Sequence, residues 1–589
     1  MTWGRAYTRT TFEADIVAAL IVTIMLIPQA LAYALLAGLP AQIGLYGSIL
    51  PLVVYALLGT SRTLAVGPVA IISLMTAAAV GQIAARGTPE YLGAAIALAF
   101  LSGLMFLAMG FLRLGFITAF LSHPVISGFI SATGLLIAAG QVKHFLGTGA
   151  EGQTLLPMIS GIVENLGAIK PVTVLISTLS IGFLFWSRKH LKGVLEALGM
   201  AARPAMILSR AAPLFAVAGT TALTWGFGLE RFGLATVGTI PRGLPMPALP
   251  PFDLALWREL ALPAALITII GYVETISVAQ TLAAKRRQRI DPDQELIAQG
   301  GINLASAFSG GLPISGGFAR SVVNFDAGAA TPAAGAFTAV GMALATLFLT
   351  PALYHLPKAT LAATIFTAVI SLIDVKAIGK TWRYSRADGF AMVVTILVTL
   401  FEGVVAGISA GVVLSILLQL WRASRPHAAV MGQVPGTEHF RNIRRHRVIE
   451  TPEVLSIRID ESLWFPNARF LEDTIYDAVA AEPAIRHVVL NCPAINYIDA
   501  SALEALEAVN ARLKDAGVLL HLSEVKGPVM DRLMRSDLLA HLGGKVYLTQ
   551  FDALMALAPE VTRETLAMPR CETARRAADS AAGNDFNPT

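Results

Sequence analysis

Residues 309–324 read SGGLPISGGFARSVVN: four glycines, a proline and an arginine inside the most apolar region of the chain. No plain membrane-crossing helix contains such a run. Glycine and proline interrupt the backbone hydrogen-bond ladder, and lipid offers the freed groups no partner. Broken backbone at membrane depth occurs only where it is buried in protein or lines a cavity, and an arginine there marks a functional site by default. The stretch therefore reads as the start of a half-helix that aims its N-terminus at a ligand.

The surroundings make this a membrane problem. The chain is 55% hydrophobic and only 14% charged, against about 25% charge in soluble domains. Apolar segments of about 20 residues recur from Asp15 to Trp421, so the expected fold is a polytopic α-helical membrane protein with about fourteen transmembrane segments. They begin near Asp15, Ile43, Leu64, Tyr91, Gly115, Pro171, Ala211, Leu260, Glu295, Gly316, Thr331, Ala359, Asp388 and Val404. The net charge of +5 sits in the loops between them. It reports topology, not a nucleic-acid footprint. The clusters Arg188/Lys189/Lys192, Lys285/Arg286/Arg287/Arg289 and Lys376/Lys380/Arg383/Arg386 fall on the side of the N-terminus, whereas Arg86, Lys143 and Lys358 fall opposite. That asymmetry predicts a multi-pass protein of the inner (cytoplasmic) membrane with both termini cytoplasmic. The early apolar stretch is too long for a signal peptide. Two cysteines, Cys492 and Cys571, both beyond the last span, argue against a disulfide framework or a cysteine metal site. No cofactor is expected.

Fourteen segments divide into seven and seven, and an odd repeat inserts upside down. The test is a matching broken segment in the first half. SRTLAVGPVA at 61–70 supplies it: a β-prone piece, then Gly67 and Pro68 opening a helix to about Val80. Such a helix spans about 21 Å, too short to cross. Gly67 and Gly317 lie about 50 and 55 residues into their halves, and paired short, interrupted segments are the best sequence pointer to a transporter site. Two facing half-helix N-termini suit an anion. Arg320 adds a full charge and a bidentate fork, unless it serves a structural pair or snorkels to the interface.

At this point the residues resemble a known family. PQALAYALLAGLP at 28–40 with GLY at 44–46 is similar to the first-span signature of the sulfate permease (SulP) family. LAVGPVAIISL at 64–74, SHPVISGF at 122–129 and ARSVVN at 319–324 resemble its later motifs. The resemblance implies a core moving against a gate, with a site between the N-termini of spans 3 and 10. By position, Gln29, Tyr33, Gly67, Val69, Ala319, Arg320 and Ser321 would line it. Gln29 and Tyr33 share one helix face, although interhelical hydrogen bonding would explain them equally. Family members often carry a bulky side chain at Val69 and a hydroxyl at Ala319, which leaves the anion's identity open. A homodimer is implied by the resemblance alone.

Glu274 sits mid-span, where burial favours the neutral carboxyl. A carboxyl that loads and releases a proton is what symport requires, and the resemblance points the same way. The alternative is a permanent ion pair with Arg320. The related bicarbonate branch surrounds sodium with an aspartate and a threonine one turn later; here Val278 has no oxygen for a hard cation. His123, before Pro124, reads as an interfacial cap ahead of a relay, and Glu13 and Asp15 as caps of the first helix.

From about Ala428 apolar runs shorten and β–α alternation appears. Strands are expected at 454–459, 487–490, 518–522 and 546–549, with helices at 501–516 and 528–542. This small cytoplasmic α/β domain resembles the STAS domain, with NYIDASA at 496–502 as its strand-to-helix loop. In signalling relatives the serine matching Ser501 is a phosphorylation site; Asp499 as N-cap and a Ser501–Glu504 capping box explain the same residues. The expected organisation is a cytoplasmic segment at 1–14, a transporter domain at 15–427, a STAS domain at 428–560 and a disordered tail at 561–589. The expected function is secondary active transport of a small anion, with sulfate as the family default and bicarbonate or C4-dicarboxylate as the alternatives. Protons would drive it, with partners limited to anion, proton and lipid bilayer. Uncoupled exchange and a membrane-anchored STAS scaffold are the rivals, and no catalytic constellation suggests an enzyme.

Overall fold

The computed structural model describes residues 3–116, 122–149, 152, 154–201, 205–206, 208–209, 211–241 and 243–569. It divides into two compact units, Met1–Ser415 and Ile416–Thr589, with the boundary inside helix Val404–Ser424. Among the described residues, eight helical stretches are long and apolar enough to cross a membrane: Arg9–Leu36, Ala41–Leu58, Pro89–Phe111, His123–Leu146, Pro171–Ala197, Leu254–Lys285, Lys358–Tyr384 and Val404–Ser424. Shorter apolar helices at Ala70–Val80, Leu155–Glu164, Ala212–Phe227 and Ala333–Leu349 fill the intervals. The expectation of about fourteen segments therefore meets helices at each position, but only eight of full length.

The first half-helix, Ala70–Val80, has 11 residues, and the second, Phe318–Ala327, has 10. Each rises only about 16 Å. Both follow a two-residue strand, β1 (Val66–Gly67) and β2 (Ser315–Gly316), and the two strands pair antiparallel with Val66 opposite Gly316 and Gly67 opposite Ser315. This bridge answers the solvation problem posed by broken helices, because each interrupted backbone supplies the other's hydrogen bonds.

Two buried carboxylates fix the flanking loops, and neither role was read from the sequence. Glu295, on helix Pro292–Phe308, accepts from Thr60 N–H at 2.7 Å, Ser61 N–H at 3.0 Å, Thr60 Oγ1 at 2.5 Å and Tyr55 Oη at 3.0 Å. This holds the approach to β1. Asp15, 0% exposed, accepts from Ala330 N–H at 2.7 Å, Thr331 N–H at 3.0 Å, Thr331 Oγ1 at 2.5 Å and Tyr7 Oη at 3.2 Å. This holds the loop beyond the second half-helix. The expected capping role of Asp15 is therefore corrected. Thr8 caps Arg9–Leu36, in a reciprocal box with Thr11, and exposed Glu13 pairs with Arg9. Asp15→Ala or Glu295→Ala strands several buried donors. Each is expected to cost about 3 kcal/mol, read as a lowered melting temperature of the purified protein, with Asp15→Asn and Glu295→Gln intermediate.

In the second unit a six-stranded sheet has the order β4-β3-β5-β6-β7-β8. Its strands are β3 (Ala428–Gln433), β4 (Phe440–Asn442), β5 (Val454–Ile459), β6 (His487–Asn491), β7 (Leu519–Ser523) and β8 (Val546–Tyr547). β5 to β8 are parallel, and β3 runs antiparallel to both β4 and β5. Parallel neighbours need crossovers, supplied by Ala468–Ala481, by Ala500–Asp515, and by the pair Gly527–Leu533 and Leu538–His541. The single helix expected at 528–542 is thus two. Ser536 Oγ donates to Leu533 O at 2.7 Å and receives Leu538 N–H at 3.4 Å, a local bond that competes with the helix. The first residues of the expected tail are ordered in a helix. Pro559–Ala567 is helical, with Thr562 and Thr565 buried, and residues 570–589, including Cys571, lie outside the described residues. Cys492 is a buried free thiol whose pKa burial pushes up to about 12, so it is unreactive at neutral pH.

His521 is 3% exposed on β7. Its Nδ1 accepts the Lys545 N–H at 3.0 Å, so Nε2 carries the proton and faces His487 Nδ1 at 3.1 Å. Burial, then His487 and Lys545, push its pKa down to about 4. The unfolded chain binds this proton more readily. The stability it contributes is complete above about pH 6.5 and is lost as pH falls toward about 4. Hydrogen exchange of β6 and β7 in the whole protein should accelerate across that window, and less so in His521→Phe.

Candidate functional site

The paired strands bring the two half-helix N-termini face to face. Gly317 N–H donates to Ala65 O at 3.0 Å. Asn324 Nδ2 donates to Thr63 O at 3.0 Å. Gly67 adopts φ +148°, a backbone that side chains rarely take, and a methyl there would lie 3.4 Å from Arg320 Nη2. A methyl on Gly317 would lie 2.8 Å from the same atom. The glycines legible in the sequence therefore let two backbones close around one guanidinium.

Arg320 is 2% exposed. Its Nη1 donates to Pro68 O at 2.8 Å and to Gln29 Oε1 at 3.3 Å. Pro68 lies just ahead of the first half-helix, whose N-cap is Val69, so the helix starts two positions later than the sequence suggested. Nε and Nη2, the other edge of the fork, are buried with no hydrogen-bond partner. The first-turn amides of Phe318, Ala319 and Arg320 have no intrahelical acceptor, since Ser321 N–H makes the first bond, to Gly317 O at 3.0 Å. Ala319 is exposed beside them, whereas Tyr33 and Val69 are buried at 8% and 4%. An unsatisfied guanidinium edge beside two helix N-termini has the donor chemistry that an oxyanion would satisfy.

Two expected roles change. The Ser321 hydroxyl donates to Gly317 O at 2.7 Å and accepts Ala65 N–H at 2.9 Å. With both capacities directed at backbone, Ser321 positions the two half-helices and does not present itself to a ligand. Glu274 Oε2 is buried without a hydrogen-bond partner, and no ion pair joins this carboxylate to Arg320, so the permanent-pair alternative is not what the geometry contains. Its neighbour Thr275 ties helix Leu254–Lys285 to the crossing: Oγ1 meets Ser315 Oγ at 2.9 Å and accepts Gly316 N–H at 3.0 Å. Thr275, Ser315 and Asn303, which brackets Ile314 through its carbonyl and amide, were missed. The available signal was small polar residues beside the glycine pairs. Val278 is buried.

A cavity of about 320 Å³ runs beyond the site along the first helix and first half-helix, past Leu36 and Leu74, to Arg86, Lys143, Lys358 and Glu402. Arg320 and Glu274 do not line it. His123 is the exposed first residue of helix His123–Leu146, whose N-cap position is Ser122, so it is not the cap. In the second unit, Asp499 caps Ala500–Asp515 by accepting Ala502 N–H at 2.8 Å. Ser501 lies exposed inside the first turn, so the Ser501–Glu504 capping box is not formed.

Known proteins share this architecture and sequence. The sulfate permease family matches residues 12–395 and the STAS domain residues 446–553. "Sulfate transporter 4.1, chloroplastic" of Arabidopsis thaliana is 34% identical over 92% of this chain and 79% of its own length. The "Probable sulfate transporter MT1781" of Mycobacterium tuberculosis is 32% identical over 92% and 94%. The murine Solute Carrier 26 family member A9 anion transporter, in an inward-facing state, superposes with a TM-score of 0.86 at 24% identity, over 95% of this chain and 93% of that one. The transmembrane domain of the cyanobacterial bicarbonate transporter BicA gives 0.59 at 21% identity, over 69% and 98%. The chain belongs to the sulfate permease family, as a multi-pass membrane transporter of anions with a C-terminal STAS domain, and is not an enzyme.

Proposed function

We propose that the protein takes up sulfate together with protons across the cytoplasmic membrane of a bacterium. The observation that carries this reading is the buried, unpartnered Nε–Nη2 edge of Arg320 between two half-helix N-termini. That edge matches the spacing of two oxygens on a tetrahedral dianion. The relatives named sulfate transporters support sulfate over other anions. Gln29 orients the guanidinium from its Nη1 end, and Tyr33, Gly67, Val69 and Ala319 shape the space around it. Glu274 is the proton carrier, because a buried carboxyl with an unsatisfied oxygen is stable only when protonated or beside a cation. The site rises and falls with the half-helices against the remaining helices, in an elevator-like cycle. Both termini are cytoplasmic, and the protein works as a homodimer. Ser501, exposed at a helix N-terminus, is open to regulatory phosphorylation.

The test is radiolabelled uptake into proteoliposomes, with sulfate, bicarbonate and a C4-dicarboxylate offered separately, with and without an inward proton gradient. Gradient-stimulated uptake confined to sulfate is expected. Uptake of another anion alone, or indifference to the gradient, would replace this reading by a different substrate or by exchange.

A further inference from the structure

The second unit carries a basic cavity at the point where the chain enters the sheet. The chain leaves helix Val404–Ser424 and enters β3 three residues later, at Ala428. β4 returns antiparallel, with Gln433 opposite Phe440 and Met431 opposite Asn442. The residues after β4 therefore arrive back at the start of β3, where Ile443 N–H donates to Val430 O at 3.1 Å. β5 ends at the same place, with Ala428 opposite Ile459 and Asp460 N–H donating to His427 O at 2.9 Å. The topology thus gathers a strongly basic run, RNIRRHR at 441–447, around the point where the polypeptide leaves its last apolar helix.

A cavity of about 390 Å³ opens there, lined by Arg441, Asn442, Arg445 and His446 on one side and His427, Arg458 and Asp460 on the other. Asp460 is already committed. Arg458 Nε donates to it at 2.5 Å and Nη2 at 3.1 Å, and His427 Nδ1 lies at 2.8 Å. Burial works against its ionisation, but the hydrogen bonds of Arg458 and His427 prevail and hold its carboxyl below the usual carboxylate range. Arg441 and Arg445 have no carboxylate partner among the described residues. The cavity therefore carries two uncompensated guanidinium groups, beside the further exposed charges of Arg444 and Arg447. Exposed Trp421 and Arg422 close the preceding helix in the manner of residues at a membrane–water interface, and His427 follows Trp421 by only six residues.

We propose that this pocket holds the phosphate of an anionic phospholipid headgroup, anchoring the STAS domain's first hairpin to the membrane surface. Basic clusters directly beyond a membrane helix attract anionic lipid, and arginine forks fit a phosphodiester better than lysine does. Free phosphate offers the same oxygens but gives no reason for the site to sit against the span.

The full-length protein in neutral detergent would be titrated calorimetrically with a short-chain phosphatidylglycerol, the phosphatidylcholine of equal chain length, and inorganic phosphate. Phosphatidylglycerol should bind at least about tenfold more tightly than either other titrant. Arg441→Gln/Arg445→Gln should weaken it about 30-fold, with an unchanged melting temperature and unchanged anion uptake at saturating substrate. If the double variant does not fold, Arg445→Gln alone should still weaken binding several-fold. Equal affinity for inorganic phosphate would overturn the lipid assignment, and phosphatidylglycerol binding unaltered in the variants would overturn the site.

Discussion

Arg320→Ala is expected to leave a folded, STAS-bearing protein whose anion uptake falls by at least about a hundredfold. Truncating a buried, hydrogen-bonded charge at a ligand costs about 3 kcal/mol or more, and each 1.4 kcal/mol is tenfold. The crossing that positions the arginine does not depend on it. β1 and β2 pair through backbone, Ser321 bridges Ala65 and Gly317, and Asn324 holds Thr63. What Arg320 contributes to the protein is one Nη1 fork onto Pro68 O and Gln29, whereas its Nε and Nη2 contribute nothing internal. Arg320→Lys keeps the charge but not the fork, and should recover part of the lost affinity. Uptake at saturating anion then separates affinity from turnover: Lys should raise the apparent KM more than it lowers the maximal rate. Wild-type uptake in Arg320→Ala, in protein that is monodisperse and folded, would remove the guanidinium from the site.

Glu274→Gln is expected to abolish the stimulation of uptake by an inward proton gradient while leaving anion exchange down a concentration gradient. Glutamine preserves the size of a protonated carboxyl but cannot release a proton. The variant should therefore resemble the loaded state permanently, and the acid-side rise in wild-type uptake should flatten. Because Glu274 precedes Thr275, whose hydroxyl holds Ser315 and Gly316, a proton on Glu274 acts one residue from the bond that tethers the second half-helix. A Thr275→Val variant would loosen that tether without touching the carboxyl, and should lower the rate while leaving the gradient dependence in place. Retained gradient stimulation in Glu274→Gln would assign coupling elsewhere.

What could be read from the sequence follows from the physics of lipid. Glycine and proline inside apolar stretches have few permitted explanations, so both half-helices, their correspondence and Arg320 were visible in residues 61–70 and 309–324. The short apolar runs of β5, β6 and β7, alternating with helices, were equally plain. The buried carboxylate clamps were not, because Glu295 and Tyr55 are 240 positions apart and Asp15 and Thr331 are 316 apart. Each residue alone resembles an ordinary helix-end acid. Ser321 was misjudged for a related reason: a serine beside a binding arginine has the composition of a ligand contact, and only the crossing strand shows that Ala65 has claimed it. The β3–β4 hairpin was missed because β4 is only three residues long, too short to show a period of two.

The most direct measurement is the structure of the protein with selenate, an anomalously scattering analogue of sulfate, located by its anomalous signal. A peak within hydrogen-bond reach of Arg320 Nε and Nη2, facing the first-turn amides of Phe318–Ala327, is the predicted result. A peak confined to the cavity beside Arg86 and Lys143, with the Arg320 edge untouched, would contradict it.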